Sequence, residues 1–154
     1  MALKKILLNF SAMDPDDLDA VMKIEEASFS LPWTENMFTG EMLKNRFACY
    51  ITGKDDCGLL LGYAGMWVIF DEAHITTLAV HPLHRGRGVG SLLLERLLQE
   101  AISSEVRLVF LEVRDSNAQA RRIYERFGFE VISKRKKYYH DEDALVMRKT
   151  IGNF

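Results

Sequence analysis

Three places in this chain combine residue types and spacing that chemistry needs. The first is Arg85-Gly86-Arg87-Gly88-Val89-Gly90 followed by Ser91, set between an apolar run ending at Val80 and a Leu-rich stretch opening at Val89. Glycine lets a backbone turn tightly and approach a ligand without a Cβ clash. A helix opening at Val89 presents its unpaired N–H groups and the positive end of its dipole to the loop. With Arg85 and Arg87 adding charge, the loop reads as a site for phosphate or pyrophosphate. It matches neither standard nucleotide loop. No Lys follows Gly90 as G-x-x-x-x-G-K-[ST] demands, and Ser91 stands where G-x-G-x-x-G needs its third glycine.

The second place is Glu112, in an apolar stretch over 106–113 that reads as a strand. Alternation puts Leu108, Phe110 and Glu112 on one face and Val109, Leu111 and Val113 on the other. Both faces are apolar, which predicts a strand covered on both sides. A carboxylate there is desolvated, which raises its pKa and suits it to accept a proton. It is equally readable as a strand-end acid paired with Arg114 or another surface cation. The third place is Tyr124, twelve residues further on, within a helix predicted over 117–127. It shares an apolar face with Ala120, Ile123 and Phe127, where core packing is the usual role of a tyrosine. Asn117 is placed to cap that helix. Cys49 and Cys57 are poor nucleophile candidates, one in an apolar strand and one beside Asp55 and Asp56. The four histidines show no H-x-x-x-H spacing, so no metal is expected.

These groups must be held by elements that the patterning predicts in outline. A short strand is expected over 5–10. Asp14 then caps a helix with Pro15 at its first position, and 30–33 breaks it before Thr34 caps a second. Strands follow over 47–52, 59–70 and 73–80, the first two joined by a turn at Lys54-Asp55-Asp56-Cys57-Gly58. A long helix carries Val89, Leu92, Leu93, Leu97, Ala101 and Ile102 on one face. After the strand and helix already described, Gly128 suits a C′ position, and 129–137 and 144–149 read as final strands. The order β-α-α-β-β-β-α-β-α-β-β predicts one mixed sheet covered by helices.

At 154 residues the chain suits a single domain over 1–154, and 48% apolar with 27% charged residues is ordinary for a soluble globular protein. No apolar run reaches the ~20 residues of a membrane span, and the N-terminal apolar stretch is too short for a signal peptide, so a cytoplasmic protein without membrane contact is expected. The net charge of −2 is unevenly spread. Residues 1–77 carry 12 acidic and 6 basic side chains, and residues 78–154 carry 10 and 14. That suits a small anionic ligand in the second half and a cationic partner near the first. Lys134-Arg135-Lys136-Lys137 reads as a basic strand edge rather than a nucleic-acid patch, so direct nucleic-acid binding is not expected.

R-x-x-G-x-G at 85–90, preceded by Leu78-Ala79-Val80-His81-Pro82, resembles the acetyl-coenzyme A motif of the GNAT N-acetyltransferases. Within that superfamily the chain is most similar to the bacterial ribosomal-protein alanine N-acetyltransferases, the RimI type. Phe29-Ser-Leu-Pro-Trp-Thr34, Leu111-Glu-Val-Arg-Asp-Ser-Asn117, Ile123-Tyr-Glu-Arg-Phe-Gly-Phe129 and Arg135-Lys-Lys-Tyr-Tyr139 carry the likeness. The resemblance implies an α+β fold: a mixed, mostly antiparallel sheet of about seven strands with about four helices, its central strands splayed. It implies that Leu78, Ala79 and Val80 pair with the pantetheine arm of acetyl-CoA, and that Arg85, Gly86, Arg87, Gly88, Val89, Gly90 and Ser91 cradle the pyrophosphate. It further implies that Asn117 contacts the cofactor, that Glu112 is the general base and Tyr124 the general acid, and that Trp33, Tyr138 and Tyr139 wall the acceptor site. The acceptor implied is the N-terminal α-amine, alanine first, of a ribosomal protein. A lysine side chain or a small amine is the alternative.

Overall fold

The computed structural model describes residues 6–139 and 141–152. In chain order its elements are β1 (Asn9–Ala12), α1 (Leu18–Ser28), α2 (Glu35–Leu43), β2 (Ala48–Lys54), β3 (Leu60–Ile69), β4 (Glu72–Val80), α3 (Val89–Ser103), β5 (Leu108–Arg114), α4 (Ala118–Arg126), β6 (Glu130–Arg135) and β7 (Ala144–Thr150). Short 3-10 turns at Pro15–Asp17 and Pro82–His84 lead into α1 and towards α3. The strands make a seven-stranded sheet in the order β1-β2-β3-β4-β5-β7-β6, mixed because β4 and β5 run parallel while β1-β2, β2-β3, β5-β7 and β6-β7 are antiparallel. Two compact units divide the chain, one drawing on Met1–Trp67 and Thr76–Gln99, the other on Val68–Ile75 and Glu100–Phe154.

In the first unit, local chemistry sets the helix ends. Asp14 accepts from the Asp16 N–H while Asp17 reaches back to the Asp14 N–H, a reciprocal cap with Pro15 just inside it. Thr34 caps α2 by accepting from the Met37 N–H. The strand expected over 5–10 lies later, at Asn9–Ala12. Backbone pairing with β2 runs from Asn9↔Lys54 to Ala12↔Ile51, and Leu8 contributes a side chain that packs near Gly53 instead. Hydrophobicity did not mark the pairing there: Leu7 is exposed, and Ile6 and Leu8 are only partly covered. Val89, Leu93, Leu94, Leu97 and Leu98 of α3 are buried. Leu94 and Leu98 thus widen the predicted stripe, and Ile102, predicted to share it, is exposed. A Cβ on Gly62 would sit 2.7 Å from Leu93 and 2.8 Å from the Ala79 carbonyl, so this glycine is what lets helix and strands approach closely.

In the second unit, β5 pairs with β7 along its whole length, and β6 pairs on the outer side of β7. Val109, Leu111 and Val113 are buried, whereas Leu108, Phe110, Glu112 and Arg114 are only partly covered. The expectation of a strand covered on both sides is therefore corrected: one face of β5 is core and the face carrying Glu112 is half-open. Gly128, at φ +90°, ends α4 in the left-handed conformation, and the Phe129 N–H closes back onto the Tyr124 carbonyl. Every residue of β6 is exposed, as expected for a basic edge strand. The β4–β5 pairing covers Glu72↔Leu108, Ala73↔Val109 and His74↔Phe110.

Candidate active site

The residues singled out from sequence fall into two groups, one in each unit. In the first unit, Leu78, Ala79 and Val80 end β4, and the chain turns through Pro82–His84 into the loop. Gly86 and Gly88 have φ of +76° and +87°, and a Cβ on either would meet nothing within 4 Å. These glycines are required by backbone conformation and leave open space beside the loop. The Gly88 carbonyl accepts from the Leu92 N–H, so α3 begins at once, with Val89, Gly90 and Ser91 in its first turn. Their N–H groups have no acceptor one turn back along the helix, which is the geometry of an anion site.

Arg85 is used differently from its neighbours. Its Nε donates to the Val80 carbonyl at 3.1 Å and its Nη2 to Ser28 Oγ at 2.8 Å, tying the end of β4 to the end of α1. Arg87 Nη1 lies 2.9 Å from His84 Nδ1. Trp33 is half-buried, its ring 5.2 Å from Phe38 and 6.4 Å from Tyr50. Its backbone N–H donates to Glu25 Oε2 at 3.2 Å, while the Tyr63 hydroxyl donates to Glu25 Oε1 at 2.7 Å. Sequence reasoning missed Glu25. Burial pushes its pKa up, and the two donors draw it down. The available signal was an acid at i+4 from Val21 on the buried face of α1.

In the second unit, Glu112 is clasped on both oxygens. His74 Nε2 is 2.5 Å from Oε2, and Arg135 Nη1 is 3.3 Å from Oε1. The hydrogen bond from His74 holds the Glu112 carboxyl below the ordinary carboxylate range, outweighing the upward push of burial, with Arg135 adding to it. This reverses the raised pKa expected from the sequence. Of the surface cations expected as alternative partners, it is Arg135 that meets Glu112, while Arg114 binds Asp141 at 2.8 Å and Glu142 at 3.2 Å. Glu142 also accepts from the Ser116 hydroxyl and N–H. Asn117 Oδ1 accepts from the Ala120 N–H and caps α4. Tyr124, half-buried and edge-on to Phe129, has its hydroxyl pKa pushed up to about 12 by burial, not left near the ordinary value. Arg114 stacks on Tyr139 and Arg135 on Tyr138, each guanidinium 4.4 Å from the ring centre, and the two rings meet edge to face. His140 lies outside the described residues. Among the described residues no group of three or more His, Cys, Asp or Glu is placed to hold a metal ion, and no helix is long and apolar enough to cross a membrane.

The family profile described as Acetyltransferase (GNAT) family matches residues 18–129, which span both the glycine loop and Tyr124. The chain belongs to the GNAT acetyltransferases. GNAT enzymes use acetyl-CoA, and the open left-handed loop at the start of α3 fits an anionic ligand of that kind. A Bacillus subtilis protein is 41% identical over 139 residues, covering 89% of this chain and 91% of its own. The [ribosomal protein bS18]-alanine N-acetyltransferase of Salmonella typhimurium is 35% identical over 146 residues, covering 92% of this chain and 97% of its own. The crystal structure of the ribosomal-protein-S18-alanine N-acetyltransferase from Escherichia coli superposes with a TM-score of 0.87 at 32% identity, covering 96% of each chain. The seven-stranded α+β architecture read from the sequence is thus the GNAT fold.

Proposed function

We propose that this protein transfers the acetyl group of acetyl-CoA to the N-terminal α-amine of a ribosomal protein, with alanine as the acceptor residue and bS18 as the protein. The observation that carries this reading is the reach of the likeness: relatives named for that reaction match nearly end to end at 32–35% identity. Acetyl-CoA supplies an acyl group activated as a thioester. Residues 85–91 hold its pyrophosphate through backbone N–H groups, with Arg87 adding charge. The backbone at Leu78, Ala79 and Val80 holds the pantetheine arm, and Asn117 adds a cofactor contact to its cap.

The α-amine has a reference pKa near ~7.7–8.0, so it is mostly protonated at neutral pH and must lose a proton before it attacks. Glu112, ionised throughout the neutral range, accepts that proton directly or through one water. Its lowered pKa makes it a ready acceptor but a weak one, so the transfer is drawn forward by attack on the thioester. Tyr124 keeps its proton across the same range and donates to the sulfur as negative charge builds there. Direct attack needs no covalent enzyme intermediate. Trp33, Tyr138 and Tyr139 wall the acceptor peptide, and the reaction belongs in the cytoplasm, where ribosomal proteins are made.

A panel of acceptors with acetyl-CoA tests this reading. Alanine-initiated bS18 peptides are expected to turn over well above N-terminally blocked lysine peptides and polyamines. Equal turnover of alanine-initiated and blocked lysine peptides overturns the N-terminal assignment.

A further inference from the structure

We propose that His74 is a positioning residue for the proton acceptor, pinning Glu112 through Oε2 so that Oε1 is the oxygen that meets the incoming proton. The inference rests on the reading of Glu112 given above and deepens it. Parallel pairing sets His74 beside Phe110, and alternation puts Phe110 and Glu112 on the same face of β5. The imidazole therefore reaches Glu112 two positions along, on the half-open face.

The two oxygens of Glu112 are held unequally. The His74 contact is 2.5 Å, in the range of a strong charge-assisted bond, from a strand locked in the sheet ladder. The Arg135 contact is 3.3 Å, from a half-exposed side chain that also stacks on Tyr138. An acceptor amine arriving at Glu112 can displace the second far more readily than the first. His74 is also the more open partner, with its side chain 40% exposed against 12% for Glu112. Other groups facing this carboxylate are Tyr139 from the segment after β6, and Val146 of β7 directly opposite, with Arg148 opposite Phe110.

Two variants test the role, His74→Phe and His74→Gln, the second restoring a neutral N–H donor. The first readout is the Glu112 carboxyl band by infrared difference titration against a Glu112→Gln reference. His74→Phe is expected to raise its midpoint, because the donor that favours the charged form is gone. The second readout is kcat/KM against pH with an alanine-initiated peptide. The acid limb should move to higher pH with the carboxyl, and kcat should fall roughly 10- to 100-fold through misplacement of the base. KM for acetyl-CoA should stay unchanged, and His74→Gln should recover most of kcat. A Glu112 midpoint or an acid limb that stays in place in His74→Phe overturns the proposal. If the wild-type protein does not acetylate the peptide, it is the acceptor assignment that fails, and the infrared arm still decides whether His74 governs Glu112.

Discussion

Glu112 and Tyr124 show how far a residue's surroundings can move it from what its type suggests. Apolar neighbours in sequence predict a carboxyl that titrates high; two hydrogen-bond donors outside that window, His74 and Arg135, hold it low. Glu112→Gln keeps the size of the side chain and removes proton acceptance. It is expected to lower kcat by roughly 10²–10⁴-fold, with part of the loss recovered at high pH, where the amine is already neutral. The same shift carries a stability consequence. A depressed folded-state pKa contributes stability that is fully present above the unfolded value and is lost as pH falls through the folded value. Glu112→Gln should therefore flatten the acid end of the wild-type stability curve, measured by denaturant melts from neutral pH downward. Tyr124→Phe keeps the ring against Phe129 and removes only the hydroxyl, whose raised pKa reflects burial and Tyr139. Turnover should drop by about 10²-fold or more while the melting midpoint and acetyl-CoA affinity hold. A variant that melts early with kcat intact would return Tyr124 to core packing.

At the level of elements, the loop before α3 is the part with the most specialised backbone. Gly86 and Gly88 sit at positive φ with empty space where side chains would be, so substitution there strains the backbone without colliding with the fold. Gly88→Asp is expected to abolish acetyl-CoA binding by calorimetry, since it adds strain and a negative charge beside the proposed phosphate cradle. Its circular dichroism should stay near normal; unchanged affinity would mean that the loop is only a turn. This loop was legible in the sequence because glycine spacing and helix polarity are local. So were the caps Asp14, Thr34 and Asn117 and the stop at Gly128. The start of β1 was not, because pairing with β2 depends on a strand more than thirty-five residues away. Nor was the structural use of Arg85, whose partner Ser28 lies 57 residues back. Glu25 was hidden for the same reason: Tyr63, which donates to it, is 38 residues on.

Across the whole molecule, the likeness to bS18-alanine N-acetyltransferases runs almost end to end. Basic side chains gather in the second half, the half that carries the loop and Glu112, and acidic ones in the first. An acidic first half suits a cationic acceptor such as the N-terminus of a nucleic-acid-binding protein. The most direct test of the account uses one peptide, the alanine-initiated N-terminus of bS18 followed by a lysine, with both amines free. Incubation with acetyl-CoA and the wild-type protein, followed by fragmentation mass spectrometry, reports which nitrogen carries the acetyl group. The account predicts acetyl on the alanine α-nitrogen, lost together with turnover in Glu112→Gln. Acetyl on the lysine side chain with the α-amine untouched would contradict it.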